Sequence, residues 1–296
     1  MYPRMTLKKW VLLLMVLVLS VVLVACGGGT TAPAPTEAAE VEAPPAESTD
    51  EPPPAQSEAA LTVFAAASLT DAFGEIAGLF EAANPGVTTV FNFAGSNQLA
   101  TQINEDAPVD VFASANTAQM NAAVESGRID AAAPVIFVTN RLVVVIPADN
   151  PGNIVNLQDL AALDTLIVLA AEGVPAGHYS LEFLDLASAD PAFGESFRED
   201  VLANVVSYEE NVRSVLNKVS LGEADAGIVY TSDLVGIEGV SQVEIPDALN
   251  VLAEYPLAIL NDSPNADMAR AFISYILSPE GQQVLSDYGF GSPQAR

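Results

Sequence analysis

Hydrophobic residues fall into three regimes along this chain of 296 residues. From Val11 to Ala25 they run almost unbroken, interrupted by Ser20 and preceded by Arg4, Lys8 and Lys9. A basic stretch leading into an apolar run shorter than the roughly 20 residues of a membrane-spanning helix reads as an export signal, residues 1–25. From Gly27 to about Glu58 apolar bulk disappears in favour of Ala, Pro, Glu, Thr and Ser. Such a composition cannot bury enough apolar surface to offset ordering entropy, and its prolines favour extended chain. Residues 26–58 are therefore expected to form a disordered tether.

Beyond the tether, apolar spacings of two and of three to four alternate to the end of the chain. Leu61–Phe64 reads as a strand, and Leu69, Phe73, Ile76 and Phe80 then fall at helical spacing. Strand signals recur at Val87–Phe93, Val109–Phe112, Leu142–Ile146, Leu166–Leu169, Ala226–Tyr230 and Tyr255–Leu260. Helices are predicted from Leu99 and Ile103, through Met120, near Tyr179–Leu186, over Val212–Leu221, and around Met268, Phe272 and Ile276. A last helix is predicted with Ser278 as its cap and Pro279 in its first position. Strands alternating with helices imply an α/β architecture with mostly parallel sheets. No internal repeat is visible.

Charge narrows the range of partners. Seven of the 38 acidic residues lie in the tether and three of the ten basic ones in the opening segment. The body thus carries 31 acids against 7 bases, a net charge near −24. That excess argues against nucleic acid or an anionic membrane surface as partner. His178 is the single histidine, so no histidine-rich metal site can form. Leu23-Val24-Ala25-Cys26 resembles a bacterial lipobox. The resemblance implies cleavage before Cys26, a lipid on its sulfur, and an extracytoplasmic location anchored to the cell membrane. With its single cysteine lipidated, the chain has no thiol or disulfide chemistry to offer.

Candidate chemistry sits in four strand-to-helix turns built of small residues and hydroxyls. They are Ala65-Ala66-Ala67-Ser68-Leu69-Thr70, Phe93-Ala94-Gly95-Ser96-Asn97, Glu172-Gly173-Val174-Pro175-Ala176-Gly177 and Glu209-Glu210-Asn211-Val212-Arg213. Each presents the unpaired N–H groups and positive end of a helix, at the sheet edge where α/β proteins bind ligands. Ser68, Ser96 and Asn97 can equally be read as ordinary N-caps. Arg213 could add positive potential or pair with a carboxylate; His178 reads as a surface or supporting residue. A hydrolase with Ser68 as nucleophile lacks a base and a G-x-S-x-G elbow, so no enzyme is expected. A ferric-ion site through Tyr230 with Tyr179 or Tyr208 lacks an adjacent tyrosine pair.

In order, Val63-Phe64-Ala65-Ala66-Ala67-Ser68-Leu69, Phe93-Ala94-Gly95-Ser96-Asn97-Gln98-Leu99-Ala100, Val174-Pro175-Ala176-Gly177, Asn211-Val212-Arg213 and Gly227-Ile228-Val229-Tyr230 closely resemble the periplasmic molybdate-binding proteins of ABC importers. The likeness extends to Tyr288-Gly289-Phe290. It implies a two-lobed, type II periplasmic-binding-protein fold with a hinge cleft. It also implies oxyanion contacts from Ser68, Ser96, Ala176, Val212 and Tyr230, with no direct metal-cation ligands and no cofactor. The ligand would be molybdate, and tungstate with it, delivered by a monomer to a permease and its ATPase; sulfate is the alternative oxyanion. Lobe I would comprise 61–140 plus 253–296 and lobe II 141–252. The second turn reads Gly-Ser-Asn where the family commonly has several serines. A fully deprotonated tetrahedral dianion offers only acceptors, so a pocket of donors without carboxylates suits it and disfavours hydrogen phosphate. The negative surface does not conflict with this, because distant charges are screened over about 8–10 Å.

Overall fold

The computed structural model describes residues 59–293. Cys26, the expected export signal and the whole of the expected tether lie outside the described residues.

Two five-stranded mixed sheets organise the body. The first is ordered β2-β1-β3-β10-β4, from strands β1 (Ala59–Ala66), β2 (Val87–Ala94), β3 (Val111–Ala113), β4 (Val135–Asn140) and β10 (Ala253–Ile259). The second is ordered β7-β6-β8-β5-β9, from β5 (Leu142–Pro147), β6 (Ile167–Ala170), β7 (Val205–Glu209), β8 (Ala226–Tyr230) and β9 (Val240–Glu244). Helices α1 (Thr70–Ala83), α2 (Ser96–Asn104), α3 (Thr117–Glu125), α7 (Ala266–Ile276) and α8 (Pro279–Asp287) accompany the first sheet in sequence. Helices α4 (Pro175–Ala189), α5 (Phe197–Ala203) and α6 (Val212–Ser220) accompany the second.

The α/β class holds, but the sheets are less parallel than the alternation implied. β1 pairs in parallel with β2 and β3, and β6 with β7 and β8. β10 runs antiparallel to β3 and β4, and β5 antiparallel to β8 and β9. The two reversed strands are those that begin just after the chain has passed from one sheet to the other. A direct crossing of this kind brings the chain in from the opposite end, without the helical crossover that parallel pairing requires.

Burial follows the apolar pattern. All six residues of β5 are buried, as a continuous apolar run between two neighbouring strands should be. In α6, Val212, Val215, Leu216 and Val219 form the buried stripe, and the Asn211 side chain caps the helix by accepting from Ser214 N at 3.0 Å. Phe73 and Phe80 of α1 meet Phe272 of α7 edge-on, at ring separations of 6.2 and 5.2 Å. Ser278 caps α8 by accepting from Gly281 N, with Pro279 at its first position.

Four elements went unpredicted. β7 and β9 are edge strands with half their residues exposed, so their apolar signal is weak. β4 is separated from β5 by Arg141 alone, and the seven residues of α5 include three charges.

Candidate functional site

All four turns, with Ala115 and Tyr230, line one small cavity between the two sheets. The wall comprises Ala66, Ala67, Ser68, Ala94, Gly95, Ser96, Ala115, Val174, Pro175, Ala176, Asn211, Val212 and Tyr230. These residues lie at or just beyond the carboxyl ends of β1, β2, β3, β6, β7 and β8, the edge where α/β sheets bind ligands. The volume is about 10 Å³, far below the roughly 300–1,000 Å³ of sites for drug-sized molecules. A compact ligand is required. Ser68, Ser96, Ala176, Val212 and Tyr230, scattered over more than 160 positions, are thus brought together. Asn97, His178 and Arg213 are not part of the wall.

The wall donates hydrogen bonds. Ser96, Ala176 and Val212 occupy the first or second positions of α2, α4 and α6, where backbone N–H groups have no acceptor within their own helix. Neither serine is a cap. The capping positions of α1 and α2 are Leu69 and Gly95, neither of which caps through its own side chain; at α2 the Gly95 N–H donates to Gln98 Oε1 at 3.3 Å. Instead Ser96 Oγ accepts from Ala115 N at 3.0 Å, which leaves the Ser96 proton free to donate to a ligand. Tyr230 is 1% exposed, and its hydroxyl makes no hydrogen bond of normal geometry among the described residues, although the Tyr255 phenol stands beside it. Leaving a buried phenol unpaired costs about 1–3 kcal/mol, so this group calls for a partner inside the cavity. Burial raises the Tyr230 pKa well above its ordinary value, with Tyr255, Tyr179 and Asp233 adding to the effect, so the phenol remains a donor. Tyr230 is also the single ionisable side chain of the wall; no carboxylate lines it.

Contacts across the cleft hold the two halves of the wall together. Arg213 of α6 pairs with Asp71 of α1 and, at 3.0 Å, with the buried Asp233 that follows β8. The carboxylate-pairing role for Arg213 is the one the structure supports. Gln98 Nε2 donates to Glu210 at 3.3 Å, and Gln119 Nε2 to the Gly173 carbonyl at 3.3 Å. His178 is half exposed and pairs with Glu182 at 3.1 Å, away from the cavity.

Two glycines permit this geometry. A Cβ on Gly177 would overlap the carbonyl oxygens of Ala170 and Ala171, against which the first turn of α4 packs. Gly177→Ala is expected to destabilise the domain by about 1–3 kcal/mol, the usual cost of overpacking, read as a lowered denaturation midpoint. A Cβ on Gly95 would lie 2.5 Å from the Glu210 carbonyl across the cleft.

Sequence reasoning missed Ala115, Tyr255, Asn140 and Asp233. Ala115 follows β3 in another strand-to-helix turn, so the signal that marked the other four could have found it. The remaining three approach the cavity from its rear, through long-range contacts that leave no local signature.

Comparison with known proteins agrees with this geometry. The chain is 38% identical over 239 residues to the molybdate-binding protein ModA of Mycobacterium tuberculosis, covering 80% of this chain and 87% of that protein. It is 37% identical over 240 residues to the molybdate-binding protein ModA of Escherichia coli, covering 79% and 89%. The periplasmic molybdate-binding protein of Azotobacter vinelandii superposes with a TM-score of 0.69 at 20% identity, over 79% of this chain and all of that one, which establishes the shared fold. The family described as bacterial extracellular solute-binding protein matches residues 61–291. With a family match spanning the whole body and a donor-lined cleft between two α/β domains, the chain belongs to the bacterial extracellular solute-binding proteins, a family of receptors rather than enzymes.

Proposed function

We propose that this protein captures molybdate, and tungstate with it, through Ser68, Ser96, Ala176, Val212 and Tyr230, and delivers it to the permease and ATPase of an ABC importer. The observation that carries the reading is the chemistry of the wall: converging N–H and O–H donors, an unpartnered buried phenol, and no carboxylate. A tetrahedral dianion supplies only acceptors and satisfies all of them. The names of the two curated relatives point the same way. A hydrolytic role for Ser68 finds no base in the wall, and a ferric site finds no second tyrosine there, since neither Tyr179 nor Tyr208 is part of it.

In this reading the protein is a monomer. Lobe I (61–140 plus 253–296) and lobe II (141–252) close over the anion by turning about the two crossings between the sheets. Lipidation of Cys26 keeps the receptor near its permease, and the acidic tether leaves the lobes free to move. Cys26→Ala is expected to release the protein from the membrane fraction; retention there would overturn the anchor.

Calorimetric titration of the body tests the ligand. Molybdate and tungstate should bind, sulfate more weakly, and phosphate not at all. Silence towards the first two, alongside binding of another solute, would sink the proposal.

A further inference from the structure

Behind the cavity lies a buried polar chain that ends on Ser68. Tyr255 of β10 is fully buried, and its hydroxyl lies 2.9 Å from Ser68 Oγ and 3.3 Å from Asn140 Nδ2. Asn140, also buried, is the last residue of β4, where the chain leaves the first sheet for the second. Its amide contacts Ser232 Oγ through Nδ2 at 2.8 Å and Thr231 Oγ1 through Oδ1 at 3.1 Å.

Donor and acceptor arithmetic gives this chain a direction. Arg141 N, a backbone group that can only donate, reaches Asn140 Oδ1 at 2.9 Å. That bond fixes which end of the amide is oxygen, so the end facing Tyr255 is the NH₂ and donates. The Tyr255 oxygen therefore accepts from Asn140, and its one proton has Ser68 Oγ as acceptor. Ser68 Oγ in turn accepts from Tyr255, and its own proton is left for the cavity it lines. The opposite assignment would leave the Tyr255 proton only the neighbouring Tyr230 hydroxyl, with which it makes no hydrogen bond of normal geometry, a costly arrangement. Burial pushes the Tyr255 pKa up, so the phenol keeps its proton.

We propose that Tyr255, oriented by Asn140, is a positioning residue that locks the Ser68 hydroxyl as a donor into the cavity and so favours ligands whose oxygens all accept. The inference rests on the oxyanion site proposed above. A ligand presenting O–H to Ser68 would meet a proton already committed to the cavity. The same logic governs Ser96, whose oxygen is occupied by the Ala115 N–H. Both serine hydroxyls of the wall are thereby polarised in one direction, one by backbone and one by Tyr255.

A double-mutant cycle tests this, read by calorimetry with molybdate, tungstate and sulfate on the full chain. Tyr255→Phe should weaken binding about tenfold when Ser68 is present and about onefold, that is not at all, in the Ser68→Ala background. A purely structural role would give the same loss in both backgrounds, and such additivity overturns the proposal. If Tyr255→Phe folds poorly, Asn140→Asp probes the other end of the chain. A carboxylate there accepts the Tyr255 proton and reverses the chain, turning the Ser68 proton away from the cavity. The expected loss exceeds tenfold with Ser68 present and vanishes in Ser68→Ala; unchanged affinity overturns the proposal. Should the wild-type protein bind none of the three anions, the oxyanion reading falls and this inference with it. Wild-type binding with additive losses removes the inference alone.

Discussion

Gly95→Ala is expected to weaken oxyanion binding by at least tenfold while leaving the unliganded domains folded. Gly95 sits at φ −61° and ψ 135°, a conformation open to any residue, so an alanine there strains nothing locally. What it meets is the other half of the cleft: the new Cβ would stand 2.5 Å from the Glu210 carbonyl and 2.7 Å from Asn97 Oδ1. The asparagine can rotate aside, but a backbone carbonyl moves only with its domain. The two walls must therefore separate, and every donor of the second wall recedes from an anion held by Ser68 and Ser96. Tenfold corresponds to about 1.4 kcal/mol, a modest share of what several charge-assisted hydrogen bonds contribute. Gly74→Ala in α1 is the matched control, because nothing lies within 4 Å of its added Cβ. It should leave affinity unchanged and raise stability by roughly 0.5–1 kcal/mol, the helix-propensity gain of alanine over glycine. Equal affinities for wild type and Gly95→Ala would mean that the cleft binds without close approach of its two walls.

A second large effect concerns stability and pH. Asp233 is fully buried, and its carboxyl is pushed up to about 6, chiefly by desolvation. The Arg213 guanidinium and the Tyr230 N–H, 3.1 Å away, only partly offset this, while the charge of Asp71 adds to it. A folded-state value above the unfolded 3.8 means that the native protein binds the proton more tightly. The associated stability is fully present below about pH 4 and is lost as pH rises through about 6. Asp233→Asn cannot ionise. Its amide oxygen can still accept from Tyr230 N, while its NH₂ abuts Arg213 at a cost that does not vary with pH. The stability of Asp233→Asn relative to wild type should therefore rise by about 2–3 kcal/mol between pH 4 and pH 8, since each pH unit separating the folded and unfolded values is worth about 1.4 kcal/mol. Chemical denaturation of both proteins at the two pH values measures it, and contributions from the other carboxylates cancel in the difference. A flat difference would show that Asp233 titrates in the folded protein as it does in the unfolded chain.

Much of this protein was legible in its sequence, and the boundary of what was legible has a physical cause. Strand and helix periods, the Ser278 cap and the proline opening α8 depend on atoms within about four residues of each other, so a short window contains the whole interaction. For that reason the turns carrying Ser68, Ser96, Ala176 and Val212 could be located as helix starts, and Tyr230 as the end of a strand. Edge strands β7 and β9 escaped because half-exposed strands carry little apolar signal. The reversal of β5 and β10 escaped because strand direction depends on where the chain re-enters a sheet.

Tertiary structure alone decided what the located groups do. Ser68 looked like a cap and is instead bonded to Tyr255, 187 residues away. Arg213 could have faced the ligand or paired with a carboxylate, and it is held by Asp71 and Asp233. The sequence by itself determined which residues could donate and placed them at helix starts. The packing of two sheets determined that those donors converge, that no carboxylate joins them, and which way the proton of each hydroxyl points. Hydrogen-bond direction is settled by the whole set of neighbours around an atom, and those neighbours come from segments that only folding brings together.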